Sequence, residues 1–559
     1  MLFNCIIIDS NEKEMVNPKF DKNQKLLILS MIFGIIYLFI AFNFELNIYD
    51  EAIGIYGAQR VLNGEIPYRD FWTIYAPGYY YILSVVLYLF GNCIVTERIF
   101  SILIMFLNSV IVYLITKKFT NNKYALIPYF LSIVWFGYSP FYGKAVPLAM
   151  LFGLIGFLFA KDFEKKSQLK VLFLAGLSTA LATIFRHDFG FYFFVVITFY
   201  ILIVSFSNSE LILDRWKYLS KYFAIYLFGV LLVLLPVALF FIKEAGINEM
   251  YNLLIKIPST IFPEYRALPF PMPFTIPSYF GEVSKVKGLL IRIETLIFYF
   301  PFLIYLLSLI KLFRWTKADS YKIFLSKYSD FIYLLILGIA LLNQSYIRSD
   351  REHLLPSLLI SFILFAKIIF ENWNNRKVKI VFGVIIALLV IVPITDKINR
   401  TKKMLSSKAT LCFNIPKAEG ICDEKQWATE FEQTVNYLRR NVDENNKILV
   451  ANYFHDKVLM NDLMIYYLSG RNSATRYHEF HPGITTRADV QKEIISELRK
   501  WNVDFIVQCP NTEFPEPNKS RVSSRVFLLD SFIDSNYIQI NKFGGYKILF
   551  KKSKLIRVN

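Results

Sequence analysis

The chain has 559 residues, of which 55% are hydrophobic and only 19% are charged, and its mean hydropathy is +0.41. This composition excludes an ordinary soluble globular protein, because soluble domains carry about 25% charged residues. The formal net charge of +18 does not by itself indicate a nucleic-acid partner, since membrane proteins concentrate Lys and Arg in their cytoplasmic loops. We therefore predict a membrane protein that has membrane lipids, and no nucleic acid, among its partners.

Eleven apolar runs are candidates for transmembrane helices, which need about 20 apolar residues to cross the hydrocarbon core. They lie at 26–44, 98–116, 124–138, 145–160, 169–185, 189–206, 222–242, 293–310, 331–342, 353–370 and 378–392. A Tyr-rich run at 77–91 is shorter and begins with Pro-Gly, which favours a helix at the membrane interface. The alternative is that this run spans the membrane and a weaker segment does not. The predicted fold is a polytopic α-helical membrane domain of about 11 transmembrane helices at residues 1–395.

The basic residues between these runs predict the orientation of the chain. If the N-terminus is cytoplasmic, with its Lys13, Lys19, Lys22 and Lys25, the basic loops at 117–123, 161–170, 215–221, 311–327 and 376–379 also fall on the cytoplasmic side. Cytoplasmic loops are the ones enriched in Lys and Arg. The remaining loops, and everything after Pro393, are then extracytoplasmic.

Two acids, Asp50 and Glu51, follow the first apolar run on the predicted external side. A carboxylate there can act as a general base or as a ligand of a cation. The alternative is that the pair merely begins a solvated helix. The five cysteines have no spacing typical of a metal site, but Cys412 and Cys422 can form a disulfide if their segment is exported.

Several arginines on the predicted external side run against the positive-inside bias. Arg186 and Asp188 lie between two apolar runs, and a second group begins another run, with Arg348, Asp350, Arg351 and His353. A phosphate is the natural partner, because the guanidinium group matches it with two parallel hydrogen bonds. The alternative is that Arg186 forms an ion pair with Asp188 or Asp350. The proline-rich loop at 258–277 is predicted to be a gate, with a plain long loop as the alternative.

The chain becomes polar after Pro393, which predicts a soluble α/β domain at residues 396–559. Periodicity predicts helices at 426–440 and 490–501, and strands at 447–451, 503–507 and 546–550. A loop with His478, Glu479 and His481 lacks the spacing of a metal-binding helix. We expect this loop to pack over the membrane-embedded site.

The external motifs together resemble a known family. Asp50-Glu51 after the first helix is followed by GEIPYRDF at 64–71 and by YAPG at 75–78. This pattern resembles the GT-C integral-membrane glycosyltransferases, and most closely glycosyltransferase family 39, which includes the protein O-mannosyltransferases. The segments 185–188 and 348–356 are similar to segments of other members.

The resemblance implies an inverting glycosyltransferase that moves a sugar from a polyprenyl-phosphate carrier to a lipid, glycan or protein acceptor on the non-cytoplasmic face. Asp50 would be the catalytic base and Glu51 a supporting acid. The donor phosphate would be bound by Arg186, Arg348, Arg351 and His353, with Asp188, Asp350, Lys144 and Arg266 in supporting positions.

The chain departs from the family in the loop 139–144, which lacks the Asp that many members carry there. Asp188 is the candidate to replace it. No cofactor is predicted with certainty, and a divalent cation stays an open alternative. The alternative function is a polytopic transporter or a flippase for lipid-linked sugars, but we find no internal repeat of the kind transporters show. A polysaccharide polymerase or ligase would use the same class of donor.

Overall fold

The computed structural model describes residues 22–166, 168–207, 212–316, 321–510 and 516–555. Lys13, Lys19 and Lys317, which enter the orientation argument, lie outside these residues. In chain order, the helices of the N-terminal part are α1 (Lys22–Phe39), α2 (Asp50–Leu62), α3 (Gly78–Phe90), α4 (Ile94–Lys117), α5 (Asn122–Tyr138), α6 (Val146–Lys166), α7 (Leu169–Phe185), α8 (His187–Ser207), α9 (Ile212–Ala245), α10 (Ile247–Tyr251), α11 (Ile257–Tyr265), α12 (Lys285–Ile297), α13 (Phe300–Thr316), α14 (Tyr321–Ile347), α15 (Arg351–Asn372) and α16 (Arg376–Met404).

Within the described residues, eight helical segments are long and apolar enough to cross a membrane. They are α4, α6, α8, α9, the consecutive pair α12–α13, α14, α15 and α16. Three further apolar helices are shorter, namely α1, α3 and α7. All eleven predicted apolar runs fall mostly within these helices or α5, so the predicted polytopic helical fold is confirmed. The Tyr-rich run forms α3, whose 13 residues are fewer than a span needs. Its interfacial position stays a prediction.

Two boundaries differ from those expected from the sequence. Helix α16 continues through Pro393 to Met404, so the predicted domain boundary at 395/396 falls inside a helix. A proline is tolerated in such a helix because neighbouring helices support it, and α16 packs against α5 and α12. The predicted gate at 258–277 begins as helix α11, which follows a π-helical turn at Asn252–Lys256. Only the part after Tyr265 is largely extended.

The C-terminal part forms the predicted α/β domain. Its elements are β1 (Thr410–Cys412), β2 (Cys422–Glu424), α17 (Lys425–Asn441), β3 (Leu449–Asn452), α18 (Met464–Ser469), α19 (Ala488–Lys500), β4 (Phe505–Cys509), α20 (Leu528–Asn536), β5 (Tyr537–Phe543), β6 (Tyr546–Lys551) and α21 (Lys552–Leu555). Short 3₁₀ turns lie at Ser278–Phe280, Pro416–Ala418 and Lys519–Arg521. The main sheet has the order β3-β4-β6-β5, with β3 and β4 parallel and the other pairs antiparallel. Each of the five elements predicted here is present.

A hairpin of β1 and β2 joins this domain to the chain that follows the first helix. Cys422 donates its N–H to the carbonyl of Asn43 at 2.8 Å and accepts a bond from Glu45 N at 2.9 Å. Asp423 Oδ2 accepts a further bond from Leu46 N at 2.7 Å. Cys412 and Cys422 are joined by a disulfide within the hairpin. The hairpin therefore fixes the backbone just before Asp50.

Candidate active site

Asp50 begins helix α2 in a turn that the sequence itself favours. The side-chain oxygen of Asn47 accepts hydrogen bonds from Tyr49 N at 3.1 Å and Asp50 N at 2.8 Å. Such an Asx turn satisfies backbone donors that have no partner inside a helix. The side chain of Asp50 stays 41% exposed, so its carboxylate is accessible from outside the protein.

Lys144 is brought to Asp50 by a close approach of two backbones. A Cβ on Gly54 of α2 would lie only 2.3 Å from the carbonyl oxygen of Gly143, so both positions depend on the missing side chain. Gly143 has a φ of +71° and donates its N–H to Glu97 at 2.6 Å. The next residue, Lys144, places its Nζ 3.1 Å from Asp50 Oδ2 and also donates to Glu352.

This ammonium group determines the charge state of Asp50. Partial loss of hydration at the edge of the cavity would by itself raise the pKa of Asp50, but Lys144 and, more weakly, Arg266 and Arg348 lower it below its ordinary value. Burial likewise opposes the charge of Lys144, whose pKa is nevertheless raised by Asp50 and Glu352. Asp50 is therefore a carboxylate at neutral pH, which is the state that can accept a proton.

The second group of predicted residues is organised by the start of helix α15. Asp350 caps the helix, because its Oδ1 accepts the N–H of His353 at 3.0 Å. The same oxygen lies 2.7 Å from His353 Nδ1, and Oδ2 accepts a bond from Arg348 Nε at 2.8 Å. Burial opposes ionisation, but the contacts with His353 and Arg348 hold the pKa of Asp350 far below its ordinary value. The N-terminal end of α15, which carries partial positive charge, therefore lies beside Asp350 and Arg348.

Asp50 and the start of α15 line one cavity of about 350 Å³. Three predicted site residues line it, namely Asp50, Asp350 and Arg351, and Glu352 lines it as well. The rest of the wall is formed by residues in or next to the proline-rich segment and α12, together with Ser139 and Ser349. These residues are Leu268, Pro271, Pro277, Tyr279, Phe280, Ile291, Glu294, Thr295 and Phe298. Lys144, Arg348 and His353 lie directly behind this wall, bonded to its acids.

The proline-rich segment predicted to be a gate is held by hydrogen bonds in this structure. Ser349 donates its N–H to Leu268 O at 3.2 Å, and Arg348 donates to the carbonyl of Arg266. Asn518 of the C-terminal domain donates to the carbonyl of Ala267 at 2.9 Å. The segment therefore forms a bonded wall of the cavity.

The predicted phosphate-binding arginines are each paired with an acid. Arg186 Nε lies 3.0 Å from Asp188 Oδ1, as the ion-pair alternative expected. The other pairs are Arg351 Nε with Glu294 at 2.7 Å and Arg348 Nη2 with Glu516 at 2.7 Å. Arg266 Nη1 lies 3.8 Å from the same Glu516 carboxylate. A phosphate would have to share or replace these carboxylates, so the phosphate-binding role stays a proposal.

Glu51 does not take the position expected of a supporting acid. Both of its oxygens accept hydrogen bonds of 2.7 Å from Arg98, and the two side chains are at most 1% exposed. Arg98 also donates to the carbonyls of Phe42 and Glu45. Because successive helical residues point in different directions, Glu51 enters the protein interior while Asp50 faces the cavity. This buried ion pair favours a structural role for Glu51, and its role as a supporting acid stays a prediction.

Three acids near the site were missed in the sequence: Glu294, Glu352 and Glu516. Glu294 had a signal, because a lone acid inside an apolar run is costly unless it is paired. Glu352 could also have been identified from the sequence, because it lies inside the arginine-rich segment at 348–353. Glu516 comes from the distant C-terminal domain, and no local pattern connects it with Asp50. Glu479 of the same domain lies in the loop that the sequence predicted to pack over the membrane-embedded site.

The residues around the cavity do not fit a resident divalent cation. Each of its four carboxylates already bonds a cationic side chain: Asp50 and Glu352 bond Lys144, Glu294 bonds Arg351, and Asp350 bonds Arg348. In the described parts of the chain, no group of three or more His, Cys, Asp or Glu residues is arranged to hold a metal ion. We therefore derive no step that uses a metal.

The loop that contains Glu479 packs against helix α2 and the segment after it. Tyr49 OH donates to Glu479 Oε1 at 2.8 Å, and Arg60 Nη1 lies 3.1 Å from His478 Nδ1. Trp72 donates its N–H to the carbonyl of Arg476 at 3.0 Å. The C-terminal domain therefore forms part of the surroundings of Asp50.

Comparisons with known proteins agree with this architecture. Residues 75–236 match the sequence profile of the family PMT_2, dolichyl-phosphate-mannose-protein mannosyltransferase, while a comparison with curated proteins found no match. The structure resembles ArnT from Cupriavidus metallidurans bound to undecaprenyl phosphate, with a TM-score of 0.52 and 12% identity, over 94% of this chain and 98% of that chain. It also resembles the archaeal oligosaccharyltransferase AglB from Archaeoglobus fulgidus, in complex with an inhibitory peptide and a dolichol-phosphate. That match has a TM-score of 0.50 and 12% identity, over 95% of this chain and 75% of that chain.

The two kinds of match cover different parts of the chain. The family profile includes Lys144, Arg186 and Asp188, but it begins after Asp50 and ends before Arg348. The structural likenesses extend over nearly the whole chain and, at these low identities, concern the fold. Together they confirm the resemblance noted in the sequence: this chain is a multi-pass membrane protein with the fold of the GT-C glycosyltransferases.

Proposed function

We propose that the protein transfers a sugar from a polyprenyl-phosphate donor to a hydroxyl group of an acceptor, with Asp50 as the general base. The observation that carries this proposal is that Asp50, the N-terminal end of α15 and Arg351 line the same cavity. The family match to mannosyltransferases that use a lipid-linked sugar supports the donor class. The polyprenyl and dolichol phosphates in the titles of the similar structures agree with it.

The proposed reaction is one displacement at the anomeric carbon. The acceptor oxygen forms a bond to C1 of the sugar while its proton passes to the Asp50 carboxylate. The bond between C1 and the phosphate oxygen breaks on the opposite face, and its electron pair leaves with the polyprenyl phosphate. Attack opposite to the leaving group inverts the anomeric configuration.

Negative charge that develops on the departing phosphate needs fixed positive partners. The N-terminal end of α15 and the guanidinium of Arg351 lie on the cavity wall, and helix N-termini bind phosphates well. Arg348 and His353 are held behind this wall by Asp350. Arg186, which is paired with Asp188 and Gln344, would contribute from a neighbouring position.

We also propose that the site faces the non-cytoplasmic side. The disulfide between Cys412 and Cys422 supports this orientation, because disulfides persist in oxidising compartments. The basic loops identified in the sequence support it independently. In this orientation the N-terminus is cytoplasmic and the C-terminal domain is extracytoplasmic.

Turnover of a defined donor by the purified full-length protein in proteoliposomes tests the proposed function. The donors are radiolabelled mannose and aminoarabinose on undecaprenyl phosphate and on dolichyl phosphate, and the acceptors are lipid, glycan and protein fractions of membranes from the source cells. We expect one donor to yield labelled acceptor together with free polyprenyl phosphate. Movement of the intact donor between leaflets, without cleavage, would instead establish the flippase alternative.

Lys144→Met should shift the pH dependence of transfer. Lys144 lowers the pKa of Asp50, so removing its ammonium group raises that pKa and leaves more of the base protonated in mildly acidic buffer. We expect the acidic limb of the kcat/KM profile to move to higher pH, with less change on the alkaline side. Lys118→Met is the control, because Lys118 pairs with Asp162 in a different, more exposed ion pair. An unchanged acidic limb would contradict the proposed coupling between Lys144 and Asp50.

A further inference from the structure

Glu479 is a buried acid with one oxygen that the protein does not use. The residue is only 1% exposed, although it lies in the loop between α18 and α19. Its Oε1 accepts the hydrogen bond from Tyr49, but its Oε2 has no hydrogen-bond partner among the residues that the structure describes. Buried polar atoms are nearly always paired, because leaving one unpaired is unfavourable. The free oxygen therefore points to a partner that is not part of the described chain.

The backbone around Glu479 is held on both sides. Asn461 Nδ2 donates to the carbonyl of His478 at 2.9 Å, and Asn461 Oδ1 accepts the N–H of Phe480 at 2.9 Å. Asn461 is itself fully buried and bonded to Val450 O on strand β3. His478, on the preceding side, contacts Arg60 of α2. The fold thus fixes the position of the Glu479 backbone.

This position is close to the candidate base. Glu479 bonds Tyr49, the residue before Asp50, and its charge is influenced by Asp50 and by Arg266. Its own charge in turn acts on Tyr75 and Tyr80. Burial raises the pKa of Glu479 to about 7, with opposing contributions from the Tyr49 bond and Arg266 and a further increase from Asp50. Near neutral pH its carboxyl group can therefore both donate and accept a hydrogen bond, whereas Asp50 only accepts.

We propose that Glu479 is a substrate-binding residue that the C-terminal domain supplies to the active site, where its free oxygen binds a hydroxyl group of the acceptor or of the transferred sugar. An acidic group suits a hydroxyl and would repel a phosphate, so this subsite belongs to the end of the substrate complex opposite the polyprenyl phosphate. The proposal rests on the proposed function. It gives the C-terminal domain a direct part in selecting the substrate.

The test compares Glu479→Ala, Glu479→Gln and the control Glu493→Ala in the full-length protein. Glu493 accepts a similar bond from Tyr477, at 3.0 Å, in the same domain. Donor KM is measured with the acceptor fraction saturating, and acceptor KM with the undecaprenyl- or dolichyl-phosphate sugar saturating. Thermal unfolding in detergent checks that each variant is folded.

We expect Glu479→Ala to raise the KM of one substrate about tenfold or more, as loss of a hydrogen bond to an ionisable group predicts. A change in acceptor KM would identify the acceptor hydroxyl as the ligand, and a change in donor KM would identify the sugar. Glu479→Gln keeps a group that can hydrogen-bond, so it should recover most of the affinity. In the wild type, KM should change with pH near 7, where the Glu479 carboxyl group titrates. In Glu479→Gln this pH dependence should be absent, because an amide does not titrate. Glu493→Ala should behave like the wild type.

Two contrary results have different meanings. If the wild type transfers sugar and folded Glu479→Ala has wild-type KM values for both substrates, this inference is wrong and the proposed function stands. The same holds if kcat alone falls in proportion to lost stability. If the wild type transfers no sugar from any donor, the proposed function fails and this inference fails with it.

Discussion

Asp50→Asn should reduce kcat for sugar transfer by about 10²–10⁴-fold, the contribution typical of a general base. The amide has nearly the same shape as the carboxylate but cannot take the acceptor proton. The capping bonds from Asn47 involve the backbone of Asp50 and should persist. The measurement is the initial rate of transfer from the radiolabelled polyprenyl-phosphate donor, at matched amounts of folded protein.

Asp162→Asn is the matched control for this experiment. Asp162 is a carboxylate of similar exposure that also pairs with a lysine, Lys118, but outside the cavity. We expect this variant to retain wild-type rates. If Asp50→Asn is as active as the control, Asp50 is not the base and the transporter alternative becomes the better interpretation of the charged external residues.

Glu51→Gln should lower the free energy of unfolding by about 3–5 kcal/mol, because it leaves the buried Arg98 guanidinium without a counter-charge. The sequence alone predicted a catalytic role for Glu51, whereas the ion pair with Arg98 indicates a structural one. Chemical denaturation of the detergent-solubilised protein, monitored by circular dichroism, measures the difference. The loss should appear equally in the presence and absence of donor lipid.

The double variant Glu51→Gln with Arg98→Met distinguishes a structural role of Glu51 from a catalytic one. It removes both buried charges together, so it should be more stable than Glu51→Gln alone. Its sugar-transfer rate per folded molecule should approach that of the wild type. A Glu51→Gln protein with wild-type stability and no activity would instead restore the supporting catalytic role.

Much of the fold was visible in the sequence because a membrane imposes a strict rule. Every backbone polar group within the hydrocarbon core must be bonded inside its own segment, so spanning helices appear as apolar runs. The eleven apolar runs between residues 26 and 392 lie mostly in helices, and the alternation of the C-terminal segments predicted the α/β elements of that domain. The positions of Asp50 and of the arginine-rich segment 348–353 were likewise apparent, because charges next to apolar runs are unusual.

The partners of these charges were decided by the tertiary structure alone. The bonded partners are far apart in the sequence. Arg98 and Glu51 are separated by 47 positions, Arg348 and Glu516 by 168, and Tyr49 and Glu479 by 430. Local periodicity carries no information on such distances, since it reports only which face of an element is buried. The sequence by itself therefore determined the membrane-embedded helices, the C-terminal α/β elements and the candidate base. The packing of the membrane helices and of the C-terminal domain decided which acids surround that base, because a buried charge is stable only where the fold supplies its partner.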